Sequence, residues 1–266
     1  MIGSQLKSVV LWSIVIFDLV FLAVPTIIVL ITSFTASEII SFPPNGLSLK
    51  WYVALFQRED FHRAFTRSAQ VSLICTAIAV PTGVLAALAM VRYRIRMRVL
   101  FQTYFMLPFT IPLVVAGVSL MTLFGQIGIL GKLWPVGLAA CVINLPFMIW
   151  AVSASANALD DDLEDAAANC GAPPLQAFLT VTLPAVTPGV ITGSLIMFVL
   201  AFNEFVVSLF LVDKRTMTLP VEIFLSVRDI VTPDVAAVSV VYLVVAVVAI
   251  WILDRIVGLD VFLRSR

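Results

Sequence analysis

The sequence predicts an all-α integral membrane protein with six transmembrane helices and two short surface helices between the fourth and the fifth. Three observations lead there. Hydrophobic residues make up 61% of the chain and charged residues 12%, with a mean hydropathy of +1.10, whereas soluble domains carry about 25% charge. The apolar residues come in long continuous runs without strand-like alternation, which argues for helices, the form that satisfies backbone groups inside lipid. Between two runs lies a stretch of another character, EDAAANCGAPPLQAFLTVTLPAVTPG from Glu164 to Gly189, acidic at its start and punctuated by glycine and proline.

The runs fall at about 9–33, 69–91, 99–124, 136–157, 187–212 and 234–254, each near the roughly 20 residues that cross a bilayer. The first follows Lys7 and is too long for the apolar core of a signal peptide, with no small-residue cleavage pattern after it, so it reads as a retained span. Pro25, Pro81, Pro108, Pro112 and Pro146 interrupt the runs. Proline is tolerated in a membrane helix where neighbours satisfy the freed carbonyls, so a packed bundle of bent helices is expected. No internal repeat or linker divides the chain, and 1–266 is read as one permeation domain.

Orientation follows from the basic residues. Eight of the 16 Lys and Arg fall on each side if both termini face the cytoplasm, so the bulk count does not decide. The rule weights short loops near span ends, and RYRIRMR, Arg92 to Arg98, is the densest short cluster. Placing it inside puts both termini and the segment between spans four and five inside too. That segment holds Asp160, Asp161, Asp162, Glu164 and Asp165 and no basic residue. An acidic face gains nothing from anionic lipid; it suits a basic protein surface, and acids at a helix start also favour the helix dipole.

Within the segment, Asp160 or Asp161 can cap a short helix. Leu159, Leu163, Ala166, Ala167 and Cys170 fall on one face of it, narrow and built mostly of small residues. Gly171 supplies the C-terminal stop, and Pro173-Pro174 restart a helix where proline suits the first turn. Leu175, Phe178, Leu179 and Thr182 form the apolar side of this second helix, Leu183-Pro184 ends it, and Pro188-Gly189 opens the fifth span. The expectation is a rigid protrusion on the membrane surface.

The order E-D-A-A, then G-A, then F, V-x-L-P and P-G resembles the EAA signature of ABC-importer permeases. The resemblance implies the type I importer permease fold and makes the first short helix a cytoplasmic coupling helix that docks on an ATPase subunit. Carried over by position, Glu164, Asp165, Ala166, Ala167 and Gly171 form the docking element. Asp165 stands where the family usually has Glu, which keeps the charge and shortens its reach. FNEFVVSLFL (Phe202 to Leu211), TLPVEIF (Thr218 to Phe224) and PDVAAVSV (Pro233 to Val240) resemble the second permease of spermidine/putrescine-type importers. The same subfamily includes importers of other small amines, opines and phosphonates.

Glu204, in the outer part of span five, is an expensive membrane acid, and such acids are often functional. Facing a translocation path it would neutralise a cationic amine; the alternative is that it pairs with a neighbouring helix or backbone. Many relatives have Asp before this acid, whereas Asn203 here lowers the local negative charge. Asp18 in span one reads as structural, and Asn144 in span four as a hydrogen bond between helices. His62, the one histidine, reads as a solvated surface residue, and Cys75, Cys141 and Cys170 have no metal-ligand spacing. GQIGILGK, Gly125 to Lys132, has the wrong spacing for a phosphate loop and Leu133 where Ser or Thr is needed.

No ATP site or catalytic constellation is therefore expected in this chain, and no cofactor. The resemblance implies ATP and Mg bound by two partner ATP-binding subunits, a second permease subunit forming a heterodimer, and a periplasmic or extracellular substrate-binding protein, all at the bacterial inner membrane. Zero net charge gives nucleic acid no support as a partner. The competing reading is a gradient-driven secondary transporter or channel; such proteins tend to show inverted repeats, and the two three-span halves share no visible similarity.

Overall fold

The computed structural model describes residues 2–39, 42–92, 97–160, 162–229 and 233–257. Its elements are α1 (Ile2–Thr32), α2 (Lys50–Gln57), α3 (Glu59–Arg92), α4 (Arg98–Thr110), α5 (Leu113–Gln126), α6 (Leu133–Asn157), α7 (Asp162–Asn169), α8 (Pro174–Ala177), a π-helical turn (Phe178–Thr182), α9 (Leu183–Phe202), α10 (Val206–Leu211), α11 (Leu219–Asp229) and α12 (Pro233–Val257). The chain divides into two compact units, Met1–His62 with Ile223–Arg266, and Arg63–Glu222.

In the first unit, α1 presents exposed apolar side chains along most of the stretch from Val10 to Leu30, a surface that only lipid or another protein can solvate. Its C-terminal end is tied locally. Thr32 Oγ1 donates to Ile28 O at 2.8 Å, Ser33 Oγ lies 2.7 Å from Tyr52 Oη, and Trp51 Nε1 donates to Thr35 O at 2.9 Å. Asp18 is exposed on α1. α12 opens on Pro233, and Asp234 in its first turn favours the helix dipole. Arg58 Nη1 meets Asp234 Oδ2 at 2.5 Å while its guanidinium covers the Phe61 ring. His62 is exposed, with Nε2 3.1 Å from Phe56 O.

The second unit is built on α3, α6 and α9. Small residues let these helices approach closely: Cys75, Ala79 and Ala87 of α3, Ala140, Cys141 and Ala156 of α6, and Ala201 of α9 are all buried. Gly189 and Gly193 of α9 stand four apart, the spacing that brings helix backbones together in membranes. A Cβ on Gly189 would lie 2.7 Å from Ala151 O, and one on Gly193 would lie 2.4 Å from Met148 Sδ. Asn144 is buried, but its amide donates to Ala140 O at 2.9 Å within α6, so this bond runs along the helix instead of between helices as expected.

Three further features depart from the sequence expectations. The third run, 99–124, is broken: Ile111 is extended before Pro112, and α4 and α5 meet at 91°. A residue before proline is disfavoured in the helical region, and proline has no N–H to carry the ladder on. The second short surface helix does not end at Leu183-Pro184. It continues through the π-helical turn into α9, so that Pro184 lies within one helical stretch, Pro174–Phe202, just past the local widening of the π-helical turn. The fifth run, 187–212, instead stops at Phe202, and the chain leaves helix over Asn203–Phe205 before α10.

Among the described residues, four helical stretches are long and apolar enough to cross a bilayer: Val10–Thr32, Glu59–Arg92, Leu133–Asn157 and Pro174–Phe202. The bent pair Val99–Thr110 and Leu113–Gln126 supplies a fifth if it is one span, and the sixth expected run falls on α12, of which Pro233–Val245 forms a shorter apolar helix. The chain is a multi-pass α-helical membrane protein. Within the basic cluster Arg94 and Arg96 lie outside the described residues, as do Asp161, Arg264 and Arg266.

Candidate functional site

The acidic segment forms the expected short helix, α7. Asp160 Oδ1 accepts from Asp162 N at 3.1 Å, a local cap before its first turn. The helix stops at Gly171, whose φ is +86°. Ala172 N donates to Ala167 O at 3.1 Å and Gly171 N to Ala168 O at 2.9 Å. That pair of bonds is the Schellman arrangement, which satisfies carbonyls left over at a helix end and requires the left-handed conformation that glycine adopts freely. No residue of α7 is buried. Leu163, Asp165, Ala166 and Cys170 are exposed, and Ala167 is partly covered. Beyond Pro173, Leu175 and Leu179 are exposed as well, while Ala177 and Thr182 are buried.

The five residues of the expected docking element are thus divided by geometry. Asp165 and Ala166 face outward and Gly171 fixes the stop. Glu164 turns the other way. Its Oε1 lies 3.4 Å from Arg92 Nη2 at the end of α3, and it accepts a hydrogen bond from Thr182 Oγ1 on the π-helical turn. Only 9% of the Arg92 side chain is exposed, against 39% of Glu164. A buried guanidinium is stable only when paired and hydrogen-bonded. Arg92 and Thr182 are not singled out by the sequence reading beyond the basic cluster and the apolar side of the second helix. Their link to Glu164 spans too much chain for any periodicity to expose it.

The second candidate pair sits at the other end of α9. Asn203 Nδ2 donates to Val199 O at 2.8 Å, closing the last turn. The Glu204 carboxylate accepts from Val207 N at 2.8 Å through Oε1 and from Ser208 N at 2.7 Å through Oε2. Glu204 caps α10 with both oxygens and so supplies acceptors to N–H groups that the broken span leaves without helical partners. In the loop that follows, Asp213 Oδ1 accepts from Thr216 Oγ1, Arg215 N and Thr216 N. The Thr216 hydroxyl is the main cause that holds its carboxyl below the ordinary range; desolvation opposes it, and the two backbone N–H groups add to the lowering. Among the described residues no group of His, Cys, Asp and Glu could hold a metal ion.

A bundle with a short stopped helix on its surface is the architecture of an ABC-importer permease. The fold matches a bacterial ABC transporter involved in the import of the acidic polysaccharide alginate, with a TM-score of 0.75 at 15% identity over 95% of this chain and 97% of that one. The chain belongs to the family of binding-protein-dependent transport system inner membrane components, matched over residues 79–258, and is a permease subunit of a bacterial ABC importer of the spermidine/putrescine-type family. Such a chain is a membrane component and not itself an enzyme.

Among its relatives, the putrescine transport system permease protein PotI of Escherichia coli is 30% identical over 86% of this chain and 84% of its own length. The spermidine/putrescine transport system permease protein PotC of Haemophilus influenzae is 28% identical over 89% of this chain and 91% of its own. The molybdenum transport system permease protein ModB of Mycobacterium bovis is 32% identical over 75% of this chain and 80% of its own.

Proposed function

We propose that this chain forms half of the translocation path of an ATP-driven importer for a small organic amine, with α7 as the helix through which partner ATPase subunits drive it. The observation that carries the coupling role is α7 itself, a short helix with an exposed acidic and small-residue face and a glycine stop that fixes its exit. ATP and Mg belong to the two partner ATP-binding subunits. A second permease subunit completes the path, and an external binding protein delivers the substrate. In this reading six helices cross the inner membrane, both termini are cytoplasmic and 1–266 acts as one permeation domain.

The amine assignment is supported by the PotI and PotC likeness and by the acid at the break in the fifth span. Both Glu204 oxygens already accept backbone N–H groups, so its contribution to a substrate path, with Asn203, is to shape the opening and lend a partial negative field. The ModB likeness favours a second reading, a molybdenum-containing solute. Uptake of labelled putrescine by the reconstituted complex, competed by spermidine and indifferent to molybdate, is the expected result. Uptake of molybdate without putrescine would reverse the substrate assignment.

The coupling role has a direct test in the native thiols. Cys170 is exposed beside the stop of α7, whereas Cys75 and Cys141 are buried. A membrane-impermeant maleimide should label Cys170 from the cytoplasmic side only, and co-purified ATPase should protect it. Labelling from outside would overturn the orientation, and labelling undiminished by bound ATPase would overturn docking at α7.

A further inference from the structure

We propose that Glu164 is a positioning residue that joins α7 to the two helices it must move, by pairing with Arg92 and Thr182, and that it is not a contact surface for the ATPase. The proposal rests on the reading of α7 as the coupling helix and assigns a direction to the motion beyond it. Three elements converge on the one carboxylate: α7 through Glu164, the end of α3 through Arg92, and the entry of α9 through Thr182. Each partner is held. The Arg92 side chain is nine-tenths buried, and Thr182 is 2% exposed.

The surroundings explain why one such joint matters. Between α7, the end of α3 and the entry of α9 lies a cavity of about 640 Å³, lined by Leu85, Leu88, Ala172, Pro174 and Phe178 around the Arg92–Glu164 pair. α7 itself buries no residue, so apolar packing alone does not fasten it to the bundle. A charge-assisted hydrogen bond across a gap with little packing is directional where apolar contact is not. A push on α7 therefore reaches α3 and α9 through this carboxylate. Thr182 closes the π-helical turn, a local widening of the helix that recurs at functional sites. The turn places the threonine hydroxyl towards α7 just before Pro184 resumes the α-helical ladder.

The experiment uses the complete complex in proteoliposomes, reading solute transported per ATP hydrolysed alongside ATPase co-purification. Glu164→Ala and Thr182→Val should each leave the ATPase bound and hydrolysing while transport per ATP falls about tenfold, the scale of a lost hydrogen bond to a charged group. The exchanged pair Arg92→Glu with Glu164→Arg should recover part of the ratio, which a residue needed only for folding would not do. Thr182→Val is nearly isosteric, so it remains informative if Glu164→Ala fails to assemble. Loss of ATPase binding in Glu164→Ala would make Glu164 a docking contact and overturn the proposal. An unchanged ratio in Thr182→Val would overturn it as well. If wild-type chain binds no ATPase, the coupling reading itself fails, and that outcome is distinct from a bound, hydrolysing complex with a normal ratio in every variant.

Discussion

Glu164 and Glu204 stand near opposite ends of one helix and do opposite things. Glu164 reaches from α7 to the residue just before α9 and binds side chains of two other elements. Glu204 lies just after α9 and accepts from two backbone N–H groups, Val207 and Ser208, in the short helix that follows it. Both are acids in an apolar protein, and both are partly buried. The first makes a long-range joint whose loss disconnects elements; the second makes a local cap whose loss frays one short helix. A membrane acid is thus explained by what its oxygens accept, before any role toward a substrate is assigned.

The largest effect expected on the Glu164 side comes from Gly171→Val. A Cβ there meets nothing within 4 Å, so the penalty is purely conformational, at a φ of +86° that a β-branched residue resists. The exit of α7 should change direction. ATPase co-purification or transport should fall by more than about tenfold, consistent with the 1–2 kcal/mol of the left-handed region plus lost bonds. Normal binding-protein-stimulated ATP hydrolysis would show that the stop does not set the docking geometry. Next is Gly189→Ala, which strikes the frame that both acids share. Its methyl would enter the space of Ser155 Oγ and Ala151 O, and overpacking of this kind costs about 1–3 kcal/mol. A thermal unfolding shift in detergent should report it.

Glu204→Ala should cost about 1 kcal/mol through the lost cap, read as a lower unfolding temperature, while ATPase association persists. Glu204→Gln, which keeps one acceptor oxygen, should lose less stability. If Glu204→Gln abolishes uptake of an amine at unchanged stability, the charge itself serves the path and the local-cap account is incomplete. The smallest effect belongs to Asp213→Asn. The folded carboxyl is held below its ordinary range, so its contribution is complete above the unfolded pKa and is lost only as pH falls through the lower folded value. Between pH 6 and 8 the wild-type loop should therefore show no pH dependence from this group. The variant should change stability by less than about 0.5 kcal/mol, as for other surface sites.

The sequence by itself determined the class of molecule and the position of its surface helix. Long apolar runs need no partner to declare themselves, and the Asp cap and the glycine stop of α7 act over a few residues, which local reading can follow. The tertiary structure decided the rest, since it depends on residues brought together from distant elements or on small balances along a helix. Pro184 looked like an end, yet the helix runs through it from Pro174 to Phe202, because the π-helical turn just before it is a change in the ladder that the letters of a sequence do not announce. The fifth run looked continuous because hydropathy does not register a ladder interrupted at Asn203. Glu164 looked like its neighbour Asp165; only the buried guanidinium of Arg92 and the hydroxyl of Thr182, met across the fold, turned one acid inward and left the other facing out.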